Sequence, residues 1–444
     1  MTLSTIKIFN MDLRDRKQDE MAAHILTKKD TILFVSIRLG KTRVALKAVE
    51  EGDKILVVYP FKDIKKSWLD ELEKFSPKSS DITFVTKNSV HKYAGQHFDY
   101  LVIDEPQLCQ SAKQVAAIKS ISYKKRVGLT GTLNQATIKK FQQELNWHVG
   151  VTYTIADAIR DKLVKDYEII IHFVELDDIE KNIEYTKFKR QFWGTEKEVY
   201  NSYTDSMIYF ELMKAEAADP KGRILADMGY KKYMGLRTNF LYNTPSLYNY
   251  AQRLAEKFAH EKVLIYTLRT DIADALSDTS YHSKNKETEV LEEFKNATSG
   301  HLAVVNCVQA GVTIKYLNKV LFHSYESNTE VFYQKLGRSL LYEFEGEKSE
   351  IHIVCLKDTQ MERWIDSACR SLEQNKIYYV FNGRKFNKLG WIKAIHPDKQ
   401  LFLYNGSVVF YQGKATDGFP FDQYSFLESP DRRYNLSSSK LIRI

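Results

Sequence analysis

Residues 31–46 read TILFVSIRLGKTRVAL, and this stretch limits what the chain can fold into more narrowly than any other. A run of apolar and β-branched residues, Ile32, Leu33, Phe34 and Val35, stops at a short polar turn. A helix-favouring segment starts directly after Gly40, Lys41 and Thr42. The pattern predicts a strand, a loop and a helix start. Such a loop aims backbone N–H groups at one place, with a lysine and a hydroxyl beside them, and its natural occupant is a polyphosphate with its metal. A full phosphate-binding loop, G-x-x-x-x-G-K-[ST], would need glycine where Val35 stands, and a GKT triplet also opens ordinary helices. The companions of the triplet decide between the two readings.

The segments around it repeat one rhythm. Residues 13–26 (LRDRKQDEMAAHIL) are apolar at helical spacing. The runs KILVVYP from Lys54, DITFVT from Asp81, YLVID from Tyr100 and RVGL from Arg126 alternate with helical stretches near Ser67 and Val115. Strands apolar on both faces and alternating with helices predict a parallel sheet covered on both sides. From about residue 155 to 258 the rhythm breaks into one strand-like run, YEIIIHFVEL, and long aromatic helical sequence. It then returns with KVLIYT, LAVVNC, KVLFHS and IHIVCL, and with a helix expected near residues 332–341. After Lys376 the runs YYVFNGRKF, GWIKAI, LFLYNG and SVVFYQG, separated by turn signals, predict a small antiparallel barrel or sheet.

The expected fold is therefore α/β, with parallel-sheet domains over residues 1–150 and 259–375 flanking a nucleotide cleft. A linking strand and helical insertion occupy 151–258, and a β-rich module occupies 376–444. A chain of 444 residues is long enough for this division. Lysine and arginine exceed aspartate and glutamate by 8, which suits a nucleic-acid partner and equally a mildly basic surface. Four scattered cysteines suggest neither a zinc site nor a disulfide framework and fit a reducing compartment. The first residues lack the apolar core of a signal peptide, and no apolar run is long enough for a membrane span, so the expected location is the cytosol.

Asp104 and Glu105 close the strand YLVID, where a parallel sheet presents its ligand-facing edge. One carboxylate there can hold Mg²⁺ and the next can orient an attacking water; an exposed acidic pair closing a strand is the plainer alternative. Thr130, Gly131 and Thr132 follow the strand RVGL and should border the same cleft, unless they form a simple turn. Gln334, Gly337 and Arg338 lie in QKLGRSLL of the second half. An arginine donated across a cleft stabilises γ-phosphate charge and is worth about 10³ to 10⁵ in rate, although a lone arginine more often faces solvent.

The ordered set GKT, IDEP, GLTGT and QKLGR resembles motifs I, II, III and VI of superfamily 2 helicases and translocases. The resemblance is closest to Swi/Snf-type motors and compact phage-encoded UvsW-like branch-migration helicases. ILVVYPFKDIKKSWLDELEKF is similar to their motif Ia region, KVLIYTLRTDIADAL to motif IV and LAVVNCVQAGVTI to motif V. It implies two RecA-like domains, ATP and Mg²⁺ as ligands, and DNA, branched, duplex or single-stranded, as partner of a monomer located in the host cytosol if phage-encoded.

By that resemblance Lys41 contacts the phosphates, Thr42 and Asp104 hold Mg²⁺, Glu105 positions water, and Gln334 with Arg338 completes the site. Gln18 is similar to the upstream glutamine that reads adenine, and Thr130 and Thr132 couple the halves. Lys62 and Thr86 in the first domain, with Thr267 and Asn306 in the second, match family contacts to the nucleic-acid backbone. Three positions depart from the family. Arg38 stands where many members have glycine, and either adds a phosphate-binding cation or tightens the loop. Pro106 and Gln107 replace the commoner Ala-His or Ala-Asp, and Leu341 replaces the second motif VI arginine.

In the C-terminal module, Arg384, Lys385, Lys388, Lys393 and Trp391 interleave cations with aromatics, a composition suited to backbone contact and base stacking, or to a structural cap. Branch migration re-forms one base pair for each it breaks, against about 1.4 kcal/mol of stacking per step for pure unwinding. The expected activity is an ATP-dependent helicase or translocase remodelling branched DNA in replication, recombination or repair. The alternatives are an RNA helicase, an ATP-dependent nucleic-acid-binding switch that does not translocate, and a non-catalytic DNA-binding protein.

Overall fold

The computed structural model describes residues 3–36, 38–60, 62–75, 81–133, 135–285, 288–305, 314–325, 329–342, 346–370, 372–404, 407–413, 423–426, 434–436 and 441–443. The chain forms two compact units, residues 1–168 with 174–369, and residues 169–173 with 370–444.

In the first unit, α1 (Leu3–Thr27) leads into β1 (Asp30–Val35), and α2 (Lys41–Lys47) follows the loop. Then come β2 (Lys54–Tyr59), α3 (Lys62–Phe75), β3 (Asp81–Thr86), β4 (His97–Asp104), α4 (Ala112–Ser120), β5 (Ser122–Thr130), α5 (Gln135–Leu145) and β6 (Val149–Tyr153). The six strands form one sheet in the order β3-β2-β4-β5-β1-β6, and every pairing is parallel. Central strands such as LVVY of β2 and YLVID of β4 are buried along their length, as a sheet covered on both faces requires. One core cluster joins Ile32, Leu56, Val58, Leu101, Ile103, Phe141 and Trp147. The Trp147 indole N–H donates to the Thr31 carbonyl at 3.0 Å, so this large ring is buried without leaving a polar atom unpaired. The register sets Asp104 of β4 against Leu129 of β5, which brings the ends of both strands to one edge beside the loop after β1.

After α6 (Ile155–Arg160) and β7 (Asp166–Val174), a hairpin of β8 (Ile183–Lys187) and β9 (Arg190–Gly194) precedes the helices α7 (Glu196–Glu216), α8 (Pro220–Tyr242) and α9 (Pro245–Lys257). The helical insertion expected to begin at about Tyr185 thus opens with two strands instead. Their turn uses Phe188 and Lys189 at φ 47° and 68°, without the Asn-Gly or Asp-Gly that normally announces it. Tertiary contact holds it: the Phe188 amide donates to the Tyr233 hydroxyl at 2.8 Å, and the Phe188 ring packs on Tyr233 and Phe210. A capping box at Thr195 and Glu198 starts α7, and Asp219 with Pro220 starts α8.

The α/β rhythm returns in β10 (Lys262–Thr267), α10 (Thr270–Leu276), β11 (Ser280–Tyr281), α11 (Thr288–Asn296), β12 (Gly300–Val305), β13 (Lys319–Phe322), α12 (Thr329–Leu336), β14 (Lys348–Leu356) and α13 (Gln360–Cys369). Strands β11-β12-β10-β13-β14 are parallel neighbours in that order. The helix expected over residues 332–341 ends at Leu336. There the Ser339 hydroxyl donates back to the Leu336 carbonyl at 2.9 Å, leaving Gly337 and Arg338 in a turn.

The second unit pairs residues of β7 in parallel with β15 (Ile377–Phe381), which pairs antiparallel with β16 (Arg384–Asn387). The segment GWIKAI, expected as strand, belongs instead to α14 (Lys388–Ile395). The Asn387 side chain caps this helix by accepting from the Gly390 amide at 2.8 Å, a local hydrogen bond that outweighs the β-favouring Trp and Ile. Beyond it, β17 (Leu401–Tyr404), β18 (Ser407–Gly413), β19 (Gln423–Phe426), β20 (Tyr434–Asn435) and β21 (Leu441–Arg443) form the small antiparallel sheet in the order β20-β19-β18-β17-β21.

Trp391 is 6% exposed, its ring stacked on Phe173 at 4.5 Å and on Tyr379 at 5.7 Å. The expectation of a base-stacking surface at this residue is corrected: its ring is buried in a cluster of core aromatics. Trp391→Ala should destabilise the second unit by about 3–5 kcal/mol. Thermal unfolding of the full chain measures this, as an early transition absent from the wild type.

Candidate functional site

The site begins in the loop between β1 and α2. Gly40 sits at φ 86° and ψ 51°, and a Cβ there would lie 2.7 Å from Gln18 Nε2, so both conformation and space require glycine. Gln18, on α1 and 1% exposed, donates from Nε2 to the Leu39 carbonyl at 2.7 Å. Its Oε1 is buried without a hydrogen-bond partner, an acceptor of the kind an adenine amino group satisfies. That orphaned oxygen is the test of fit for the nucleotide that the motifs imply, and the residues pass it.

Lys41 reaches across to β4, where its Nζ lies 2.6 Å from Glu105 Oε1. Glu105 itself adopts φ 49°, a backbone conformation costing about 1–3 kcal/mol for a side chain of this size. Burial pushes its carboxyl up, but the Lys41 charge and hydrogen bonds from Lys41 and Gln107 outweigh burial and hold it below the usual glutamate value. Asp104 goes the other way. Burial first, then the Glu105 charge, raise it to about 6, against opposition from Lys41 and from the Trp68 indole N–H, which donates to Oδ2 at 3.0 Å. The two adjacent carboxylates are therefore shifted in opposite directions by their surroundings. Thr42 is half-buried one residue after Lys41.

The Gln107 carboxamide donates from Nε2 to Glu105 Oε2 at 2.7 Å and to the Thr132 hydroxyl at 3.2 Å. The Thr130 hydroxyl donates to the Thr132 carbonyl at 2.6 Å and accepts from the Thr132 amide at 3.1 Å, bending the chain tightly around Gly131. A continuous chain of hydrogen bonds thus runs from Lys41 through Glu105 and Gln107 to the turn after β5. Sequence reasoning missed Gln107 and Trp68 as members of the site. Gln107 carries a signal, since it occupies the fourth position of DEPQ, whereas Trp68 sits at helical spacing on α3 and reads as core.

The second lobe of the same unit supplies the turn after α12. Gln334 is half-buried on that helix, and Arg338 lies in the turn. Burial lowers the Arg338 guanidinium from its ordinary value, opposed by the neighbouring Tyr266 phenol. Burial raises the Tyr266 phenol, opposed by Arg338 and Arg38 together. Arg38, expected as a phosphate-binding cation, donates from Nε to the Gly337 carbonyl and from Nη2 to the Arg338 carbonyl, each at 3.1 Å. Leu341, at the position of the missing arginine, bridges Val164, and the Lys165 amide donates to the Leu340 carbonyl at 3.0 Å.

Of the expected nucleic-acid contacts, Thr86, Thr267, Arg384, Lys385 and Trp391 lie among the described residues. Thr86 is half-buried at the end of β3. Thr267 is 1% exposed, its hydroxyl accepting from the Arg269 amide and the Ser324 hydroxyl, which joins the end of β10 to the segment after β13. The Lys62 side chain and Asn306 lie outside the described residues. In the second unit, Arg384 and Lys385 are exposed on β16, Lys385 lying 4.0 Å from the Tyr378 ring centroid.

The chain matches no protein-family model. The DNA 3'-5' translocase XPB2 of Sulfurisphaera tokodaii is 22% identical over 359 residues, covering 74% of this chain and 79% of that protein. Among solved structures, the ATP-dependent Type ISP restriction-modification enzyme LlaBIII bound to DNA matches with a TM-score of 0.50 at 14% identity over 82% of this chain. That match covers 30% of LlaBIII, so the chain spans less than a third of that enzyme and shares its fold there. The Pyrococcus furiosus Hef helicase domain matches at a TM-score of 0.46 and 12% identity, over 79% of this chain and 97% of that one.

Gln107→Ala removes two hydrogen bonds, one to a charged group, worth about 1.5–3 kcal/mol. Turnover of ATP should fall about 10- to 100-fold while ATP affinity stays within about twofold, as steady-state kinetics with a separate nucleotide-binding titration would show.

Proposed function

We propose that this chain, a superfamily 2 ATPase of the helicase and translocase type, couples ATP hydrolysis to movement on DNA and remodels branched DNA. The observation that carries the reading is the Lys41–Glu105 pair at 2.6 Å with Asp104 beside it, at the sheet edge where the phosphate loop opens. A lysine paired with a carboxylate at this sheet edge is a cation suited to the anionic phosphates of a nucleotide. The 22% identity to an archaeal DNA 3'-5' translocase, extending over most of both chains, supports DNA as the track. The order of the motifs supports kinship with superfamily 2 motors, and the resemblance to UvsW-like helicases favours branched DNA.

In this reading Lys41 leaves Glu105 for the phosphates of ATP. Thr42 and Asp104 would hold Mg²⁺, which supplies charge neutralisation at the phosphates. Glu105, released from Lys41 and still oriented by Gln107, accepts a hydrogen bond from the attacking water. Gln18 reads the adenine edge through its free Oε1, and Arg338, with Gln334, completes the site from the second lobe. The bridge from Gln107 to Thr132 carries the state of Glu105 into the turn after β5, which borders the other lobe.

Steady-state hydrolysis tests this with no nucleic acid, single-stranded DNA, duplex DNA, a four-way junction and matched RNA, for wild type and Lys41→Ala. Lys41→Ala leaves Glu105 buried without its counter-ion, a loss of about 3–5 kcal/mol, so its folding is checked by circular dichroism. Greatest stimulation by the junction, abolished in the folded Lys41→Ala protein, is the expected result. Stimulation by RNA alone would favour an RNA helicase. Weak hydrolysis independent of every ligand would leave a nucleotide-dependent switch.

A further inference from the structure

Arg38 stands three residues before Lys41 with φ 71°, a left-handed conformation that a side chain of its size rarely adopts. A residue kept in such a place is held by what its side chain does. Its guanidinium leaves the phosphate loop and makes a two-pronged contact with the other lobe, Nε to the Gly337 carbonyl and Nη2 to the Arg338 carbonyl, both at 3.1 Å. The planar fork of arginine fits two successive carbonyls, and a lysine ammonium does not reproduce it. The same turn is fixed on its far side by the linker, through the Lys165 amide on the Leu340 carbonyl and the Val164–Leu341 bridge. The backbone that carries Arg338 is thereby clamped from both ends. Arg38 grips the end next to the Arg338 Cα, and both guanidiniums act on the Tyr266 phenol, which places them in one neighbourhood.

We propose that Arg38 is a positioning residue: it ties the phosphate loop to the turn after α12 and sets the Arg338 side chain for the γ-phosphate charge. The inference rests on the proposed ATPase reading and extends it to a contact that links occupancy of the loop directly to the arginine of the opposite lobe. It also gives the missing second arginine at Leu341 a physical counterpart, since the clamp on this turn comes from the first lobe.

Glycine adopts positive φ without strain, so Arg38→Gly should fold. The test compares wild type, R38G, R38K, R338A and the double variant R38G/R338A. It reads kcat and KM for ATP with junction DNA, and amide hydrogen exchange across residues 337–341 without nucleotide. R38G is expected to speed exchange in that turn and to lower kcat about tenfold or more with KM within about twofold. R38K should match R38G, because the fork and not the charge is lost. The double variant should be no slower than R338A, because Arg38 acts through Arg338. A wild-type rate in R38K, a raised KM with unchanged kcat, or additive losses in the double variant would overturn the proposal. Unchanged exchange in R38G overturns it whatever the enzyme hydrolyses. Absence of hydrolysis in the wild type is the distinct outcome that removes the proposed function and with it the role of Arg38 in turnover.

Discussion

The ion pair between Lys41 and Glu105 is the interaction on which the rest of the site depends. It is largely withdrawn from water, and a buried pair stabilises little in net terms, because the desolvation of both charges offsets most of their attraction. Its importance lies in what it orders. With Lys41 in place Glu105 stays ionised, Gln107 has an anion to donate to, and Asp104 remains the carboxylate with the raised pKa. Exchange of the carboxylate for a phosphate at Lys41 would change each of those relations at once.

Two of the strained backbone positions of the first unit lie in the site. Glu105 and Arg38 both occupy positive φ, and both spend their side chains on contacts that cross between structural elements. Neither conformation follows from local preference. The parallel sheets supply rigid edges, and the loops at those edges hold costly conformations because several hydrogen bonds fix each one. The turn after α12 shows the same economy: the helix stops at Leu336, and the linker and Arg38 take over from intrahelical bonds.

The sheets were legible in the sequence because runs such as LVVY, YLVID and KVLIYT are apolar on both faces, which only a covered parallel strand explains. The positions of the loops were legible because GKT opens a helix and IDE closes a strand. What stayed hidden was decided by tertiary contact. The β8–β9 turn rests on Tyr233, more than forty residues away, and carries no glycine. The helix α14 rests on the cap at Asn387, while its Trp and Ile read as strand. The Trp391 ring looked like a stacking platform from its basic neighbours, but it is buried against Phe173 and Tyr379. The Thr267 hydroxyl accepts from Ser324, beyond β13, a contact that spacing does not encode. The partners of Arg38 lie about three hundred residues away, so its contact with the second lobe was equally unreadable.

The most direct test of the account is the affinity of Glu105→Gln for ATP with Mg²⁺, measured by titration beside its rate of hydrolysis. The substitution keeps the shape of the side chain and removes the charge that competes for Lys41. If Lys41 exchanges Glu105 for phosphate, releasing about 1–2 kcal/mol of pairing should tighten binding about 5- to 30-fold while hydrolysis is lost. Weaker binding, or hydrolysis at the wild-type rate, would contradict the claim that this pair is the resting state of an ATP site.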